Sequence, residues 1–332
     1  MGITIRQLAE ISGYSQSTIS RVLSGQGKVK KETREEIERL LNEYQYRTNV
    51  MDLREAERNR RTILLLAGDL NNGFYTELIR VLCEYARSEG YRILIAYTDD
   101  RAEIEEEYVK MAAQEHYAGI LFMNVRGGEE LSSLLTEKKV PVVFLNRGIM
   151  FSGFDTVTSD NYLGGYLITN YLIRKGHRKI GLLAGHTYSQ TALDRRRGYE
   201  EAMRDAHLPV TESSVFLGDQ NYESGYQYGE HLLKEAIDVT AVFCVNDLMA
   251  MGFMDALREY GVKVPRDISV VCYDNTFFSM HLGLTAVGSE PEKLAKSAID
   301  VLLRKTAGPG GDGESIVHRP RIIERSSVRV IE

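Results

Sequence analysis

The chain has 332 residues, enough for two or three folding units, and its hydrophobic (43%) and charged (27%) fractions are those of an ordinary globular protein. No apolar run approaches the roughly 18 residues of a membrane span, and the N-terminus lacks a basic region leading into an apolar core, so the chain is expected to stay in the cytoplasm. The net charge of −6 is uneven: residues 1–61 carry 12 Lys and Arg against 9 Asp and Glu, a mildly basic head on an acidic body.

Thr4 and Gln7 have capping-box spacing, which predicts a helix from Thr4 with Ile5, Leu8, Ala9 and Ile11 on its apolar face. Gly13 is a helix-ending residue, and Ser15 is an N-cap for a second helix over about Gln16–Leu23 that buries Ile19, Val22 and Leu23. Two short helices joined by a tight Gly-containing turn form a helix-turn-helix, whose second helix lies in the DNA major groove. Gln16 and Ser17 sit at the leading end of that helix, Thr18 and Ser20 are placed to reach phosphates, and Arg21 can fork onto guanine. An αα-hairpin with a polar outer face is the alternative. A third helix over about Glu32–Tyr44 carries Ile37, Leu40, Leu41 and Tyr44 on one stripe, and residues 45–61 are polar enough for a linker or a helix that needs a partner.

From Thr62 apolar runs alternate with amphipathic stretches. The runs cover 62–67, 92–97, 118–123, 141–145, 179–185, 240–245 and 268–273, and helix patterns cover about 74–89, 101–115, 161–175, 194–206, 223–236, 247–260 and 291–305. Short, branched-rich runs between helices predict buried parallel strands, and a body this long predicts two doubly wound lobes of an α/β protein. Ligands of such folds bind beyond the carboxyl ends of the strands. There the sequence places Asp69, Asn71, Thr98, Asp99, Asn124, Asn146, Arg147, His186, Asn246, Asp247, Asp274 and Asn275, a ring suited to a polyhydroxyl or purine-like ligand unless these residues merely cap the next helices.

Cys83, Cys244 and Cys272 lie far apart in apolar runs and read as buried reduced thiols, and the His residues have no ligand spacing, so neither a disulfide nor a metal is expected. The segment GPGGDG at 308–313 lacks the context of a phosphate cradle and reads as a surface loop. No catalytic constellation or cofactor motif appears, so the chain is not expected to be an enzyme.

Read in order, TIRQLAEISGYSQSTISRVLSG, KETREEIERLLNEYQYRTN, NNGFYTELIRVLCEYARSEGY, VPVVFLNR, SDNYLGGYLITNYLIRKGHRKIGLLAG, RRRGYEEAM, AVFCVNDLMAMGFMDALREYGVKVPRDISVVCYDN and RIIERSSV closely resemble the LacI/GalR family of bacterial transcriptional regulators over nearly the full chain. The resemblance implies a helix-turn-helix head (1–45), a hinge (46–61) and a periplasmic-binding-protein-like body (62–332). The body's N-lobe would span about 62–160 plus 290–320, and its C-lobe about 161–289 plus 321–332.

It also implies a homodimer or tetramer on double-stranded, pseudo-palindromic operator DNA, acting as a repressor under control of a small molecule between the lobes, a sugar or a nucleoside-like compound. By position, Gln16, Ser17 and Arg21 would read bases, with Thr4, Ser15, Thr18 and Ser20 near phosphates and Tyr46, Asn49 and Met51 at the hinge. Arg195 and Asp247 match the most regular effector contacts, and Phe74, Thr191, Gln220 and Asp274 line the pocket more variably; Asn146, from the strand-end ring, is a further candidate effector contact. Gln220 stands where relatives often place a stacking aromatic, which leaves that task to Phe74, Tyr222, Tyr273 or Phe277. Control by a partner protein and a solute-binding protein of a transporter are the alternatives.

The hinge departs from the family pattern. Thr48 stands in place of a proline, Asp52 in place of an alanine, and Glu55 in place of the leucine that wedges into the minor groove. A carboxylate there opposes insertion, and Met51, one helical turn earlier, is the better wedge.

Overall fold

A computed structural model of the chain describes residues 5–24, 29–44, 57–146, 153–185, 189–307 and 313–332. Thr4, Tyr46, Thr48, Asn49, Met51, Asp52, Glu55, Arg147, His186 and most of the glycine-rich loop lie outside them.

The head is three helices, α1 (Ile5–Ser12), α2 (Gln16–Ser24) and α3 (Lys31–Glu43). Leu8, Ile19, Val22, Ile37 and Leu41 form its core, with Ala9, Tyr14, Val29 and Leu40 packed around it. Gly13 makes the α1–α2 turn in the left-handed region at φ +73°, where a side chain would be strained. Two expected core positions are on the surface instead: Ile11 is 50% and Tyr44 is 40% exposed. Ile11 lies in the last turn of an eight-residue helix and Tyr44 just beyond the end of α3, where no helix among the described residues covers the stripe.

Among the described residues the body holds two six-stranded sheets. In the first, β1 (Thr62–Ala67), β2 (Arg92–Tyr97), β3 (Gly119–Phe122), β4 (Val142–Leu145), β5 (Asp155–Ser159) and β11 (Ser315–His318) run parallel in the order β11-β5-β4-β3-β1-β2. Strand periodicity divides β1 between two cores. Ile63, Leu65 and Ala67 pack with Leu78 and Leu82 of α4 (Gly73–Ser88) and with Leu294 and Ile299 of α12 (Pro291–Ala307). Leu64 and Leu66 face Val109 of α5 (Ala102–Gln114) and Leu131 of α6 (Glu129–Lys138).

The second sheet has the order β12-β10-β9-β8-β6-β7, from β6 (Ile180–Gly185), β7 (Val215–Gly218), β8 (Ala241–Cys244), β9 (Ser269–Tyr273), β10 (Thr285–Gly288) and β12 (Arg321–Ile323). Only β12 runs antiparallel, against β10. Its helices are α7 (Asn161–Arg174), α8 (Gln190–Asp205), α9 (Tyr222–Lys234), α10 (Asp247–Glu259) and the short α11 (Phe277–His281). The pairs α7–α8 and α9–α10 approach so closely that a Cβ on Gly165 would strike the Arg195 carbonyl and one on Gly252 that of Tyr222. The chain passes between the sheets three times, after β5, after β10 and after β11, and hydroxyls of Ser159 and Ser289 meet at 2.7 Å where two of these crossings touch.

Strands β5, β7, β10, β11 and β12 and helices α6 and α11 have no counterpart among the sequence-predicted elements. In letters, β5 (DTVTS) is polar, yet it is buried because Asp155 takes Glu314 N–H at 2.7 Å and the Lys305 ammonium at 3.3 Å. Cys244 and Cys272 are buried thiols, whereas Cys83 is half-buried on α4. No helix among the described residues is long and apolar enough to cross a membrane.

Candidate functional sites

Ser15 starts α2 by accepting Thr18 N–H on its hydroxyl at 3.2 Å, and that hydroxyl also meets Ser17 Oγ at 2.9 Å and Thr18 Oγ1 at 2.8 Å. Ile19 and Val22 anchor the helix to the core, which turns Gln16, Ser17, Ser20 and Arg21 to solvent and leaves Thr18 half-buried. One polar row, supported from behind by a small apolar core, is the arrangement a base-reading helix needs.

The second site is a cleft between the sheets, at the carboxyl ends of their strands. Phe74, Asn146, Thr191, Arg195, Gln220 and Asp274 all line it, as do Asp69, Asn71 and Asn124. Several of these strand-end residues are in the left-handed region without being glycine, namely Asn146 (φ +54°), Gln220 (+61°) and Asp274 (+73°). Short polar side chains tolerate that conformation best, and such strain gathers where side chains must be aimed.

Arg195 on α8 is held on all sides although it lines the cleft. Its Nε donates to Asn161 Oδ1 at 2.9 Å, Nη1 to the Val245 carbonyl at 2.5 Å and Nη2 to Asp274 Oδ1 at 3.1 Å, and the guanidinium lies 3.6 Å from the Tyr273 ring centroid. Asp274 is so deeply buried that desolvation outweighs the pull of Arg195, and its carboxyl is raised above the usual range.

Asp247, by contrast, is not among the lining residues. It opens α10 wholly buried, takes the Thr276 hydroxyl on Oδ2, and has no partner for Oδ1 among the described residues. Burial, and then the neighbouring Asp274 carboxylate, push it up to about 7.

Part of the expected ring serves the scaffold instead. Asn246 caps α10, accepting Met249 N–H at 2.8 Å, and donates to the Gln220 carbonyl at 2.8 Å. Asp99 takes the Tyr97 hydroxyl, Asn275 takes Arg325, and Thr98 is buried with no partner for its hydroxyl among the described residues. Of the four aromatics proposed for stacking, only Phe74 reaches the cleft. Tyr273 lies under Arg195, Tyr222 bonds Asp255 at 2.9 Å outside it, and Phe277 is 66% exposed on α11.

Sequence reasoning also passed over Tyr75, Asp100, Arg126, Ser189, Asp219, Asn221 and Leu248, all of which line the cleft. Tyr75 follows Phe74 at the start of α4, with its ring edge-on at 5.6 Å, and that adjacency was the available signal. Arg126 lies two residues beyond the strand-end Asn124, in a loop with no motif.

Residues 4–49 match the bacterial regulatory proteins of the lacI family, and residues 169–328 match a periplasmic binding protein-like domain. The HTH-type transcriptional repressor PurR of Vibrio atlanticus is 30% identical over 331 residues, covering 99% of each chain. The chain belongs to the LacI family. Members of the LacI family bind operator DNA and small-molecule effectors, and this chain is accordingly an effector-controlled, DNA-binding transcriptional regulator and not an enzyme.

Among solved structures, the transcriptional regulator CelR in complex with cellobiose is 28% identical with a TM-score of 0.73, over 98% of this chain and 99% of its own. A periplasmic binding protein/LacI transcriptional regulator from Alkaliphilus metalliredigens complexed with D-xylulofuranose is 25% identical with a TM-score of 0.73, over 82% of this chain and 100% of its own.

Proposed function

We propose that the chain is a cytoplasmic, homodimeric repressor whose grip on a pseudo-palindromic operator is set by a sugar in the cleft. The observation that carries the effector reading is Arg195, a fork fixed on three acceptors and one ring at the edge of a cavity lined by Asp and Asn, where hydroxyl groups find both donors and acceptors. Phe74, Asn146, Thr191, Gln220 and Asp274 share that cavity, and Asp247 joins them on a shift of α10. A purine is the second reading, favoured by the likeness to PurR and by the Phe74–Tyr75 pair. Titrating sugars, nucleosides and hypoxanthine while following operator affinity tests both, and a compound that binds tightly without changing that affinity counts against effector control.

The head acts through Gln16, Ser17 and Arg21 on base edges, with Thr4, Ser15, Thr18 and Ser20 on phosphates. Changing Arg21 to alanine is expected to relax specificity at one half-site base by about 1–3 kcal/mol and to leave the other positions intact, measured by binding to a set of single-base operator variants. At the hinge, Tyr46, Asn49 and Met51 contact DNA with a weakened wedge. The Glu55→Leu variant is therefore expected to bend operator DNA more than the wild type in a gel-phasing assay, and large, equal bends in both would remove the hinge argument. The effector works as a population shift between lobe arrangements, so its effect on DNA is bounded by its differential affinity for them.

A further inference from the structure

The corner of the cleft where β2 and β3 end is built around two charges, Asp100 and Arg126. Asp100 sits just past β2 at φ +52°, a conformation that surrounding structure must impose. Gly68 at the end of β1 is part of that imposition, because a Cβ on it would run into Asp100 Oδ1 and the carboxylate rests on bare backbone. Asp100 pairs through Oδ2 with Arg126 Nη2 at 2.7 Å and takes the Asn124 amide on Oδ1 at 3.4 Å.

The Arg126 loop is pinned from beneath. Arg126 N–H donates to Glu105 at 3.0 Å and Gly127 N–H at 2.9 Å, and Glu105 is wholly buried on α5. Asp100, Asn124 and Arg126 all line the cleft, and Asn124, more than nine-tenths buried, has no partner for its carbonyl oxygen among the described residues.

A carboxylate and a guanidinium side by side match two adjacent hydroxyls, since one hydroxyl donates to the acid while the oxygen of the next accepts from the base. An orphaned amide oxygen beside them adds demand for a further O–H. A flat purine base has no such pair of hydroxyls, and a phosphate would meet the Asp100 carboxylate. We propose that the N-terminal lobe selects the effector through Asp100 and Arg126, as a vicinal-diol site for a neutral sugar, with buried Glu105 as the positioning residue; this rests on the cleft reading above and sharpens it.

Calorimetric titration of the full chain with D-ribose, 2-deoxy-D-ribose, D-xylose, cellobiose and hypoxanthine tests this, with Arg195→Ala as the control for the cleft. At least one sugar with adjacent hydroxyls is expected to bind, and Arg126→Ala to weaken it about tenfold or more. The wild type is expected to reject the deoxy analogue of that sugar by a similar factor. Glu105→Gln, which keeps the side-chain volume, is expected to collapse the ratio between the sugar and its deoxy analogue toward one while operator affinity without effector stays unchanged, a selectivity loss that a merely structural role would not produce.

Binding of hypoxanthine but no sugar, binding of none of the five, or equal sugar affinity in the wild type and Arg126→Ala overturns the proposal. Equal affinity in that pair together with loss in Arg195→Ala leaves the cleft as the effector site. Sugar affinity that survives Arg195→Ala places the ligand elsewhere and overturns both readings.

Discussion

Replacing Arg195 with alanine is expected to abolish effector binding and to destabilise the lobe that carries it by about 3–5 kcal/mol, because it strands a buried carboxylate. Asp274 is 4% exposed and raised by burial even with the guanidinium beside it. Without Arg195 the carboxylate is poorly tolerated, so the site takes up a proton or admits water. Asn161 Oδ1 and the Val245 carbonyl lose their donor in the same step, each at about 1–3 kcal/mol when left buried and unpaired. Urea denaturation of the wild type and the variant measures the loss. Arg195→Lys separates charge from shape: it keeps a cation near Asp274 but has no planar fork for three acceptors and stacks less well on Tyr273. Intermediate stability with effector affinity still lost is the expected result, and a lysine variant that binds effector as the wild type does would show that charge alone suffices.

How much of this site could be read from the chain follows from where each residue sits. Asn146 and Asp274 were legible because they lie at the ends of apolar runs, where doubly wound sheets open, whereas Phe74 was legible only through the family resemblance. The two-lobe architecture was legible for the same reason: runs such as TILLLA are buried on both faces and keep their apolar letters throughout. Strand β5 was not, since its Asp and Thr are satisfied by partners more than a hundred residues away, such as Glu314 and Ser315. Nor could spacing distinguish a cap from a contact. Asn246 and Asp247 are neighbours in one motif, yet the first caps its own helix and the second is sealed behind the cleft wall. Arg126 was invisible because Glu105, which fixes its loop, is one of four glutamates on α5 and nothing in their spacing marks it out.

The sealed carboxyl of Asp247 gives a second large effect, this time with pH. Burial, then the Asp274 charge, raise it to about 7 in the folded chain from 3.8, so between these values the folded state holds a proton that the unfolded state has released. Stability contributed by this group is therefore intact below about pH 4, declines as pH rises toward 7 by at most about 1.4 kcal/mol per unit, and levels off above that. The Asp247→Asn variant keeps the acceptor for the Thr276 hydroxyl and cannot ionise. Its stability is expected to lose less than that of the wild type between pH 4.5 and 7.5, measured by urea denaturation at each pH; acids lowered by ion pairs, such as Asp267 at about 2, slope both curves alike and cancel in the difference. Parallel curves would show that Asp247 is ionised throughout. The same proton is a reporter on the effector. A hydroxyl that donates to Asp247 Oδ1 favours the anion, so binding should release a proton near pH 7 and tighten as pH rises through that value, whereas a ligand that leaves Asp247 sealed should show neither.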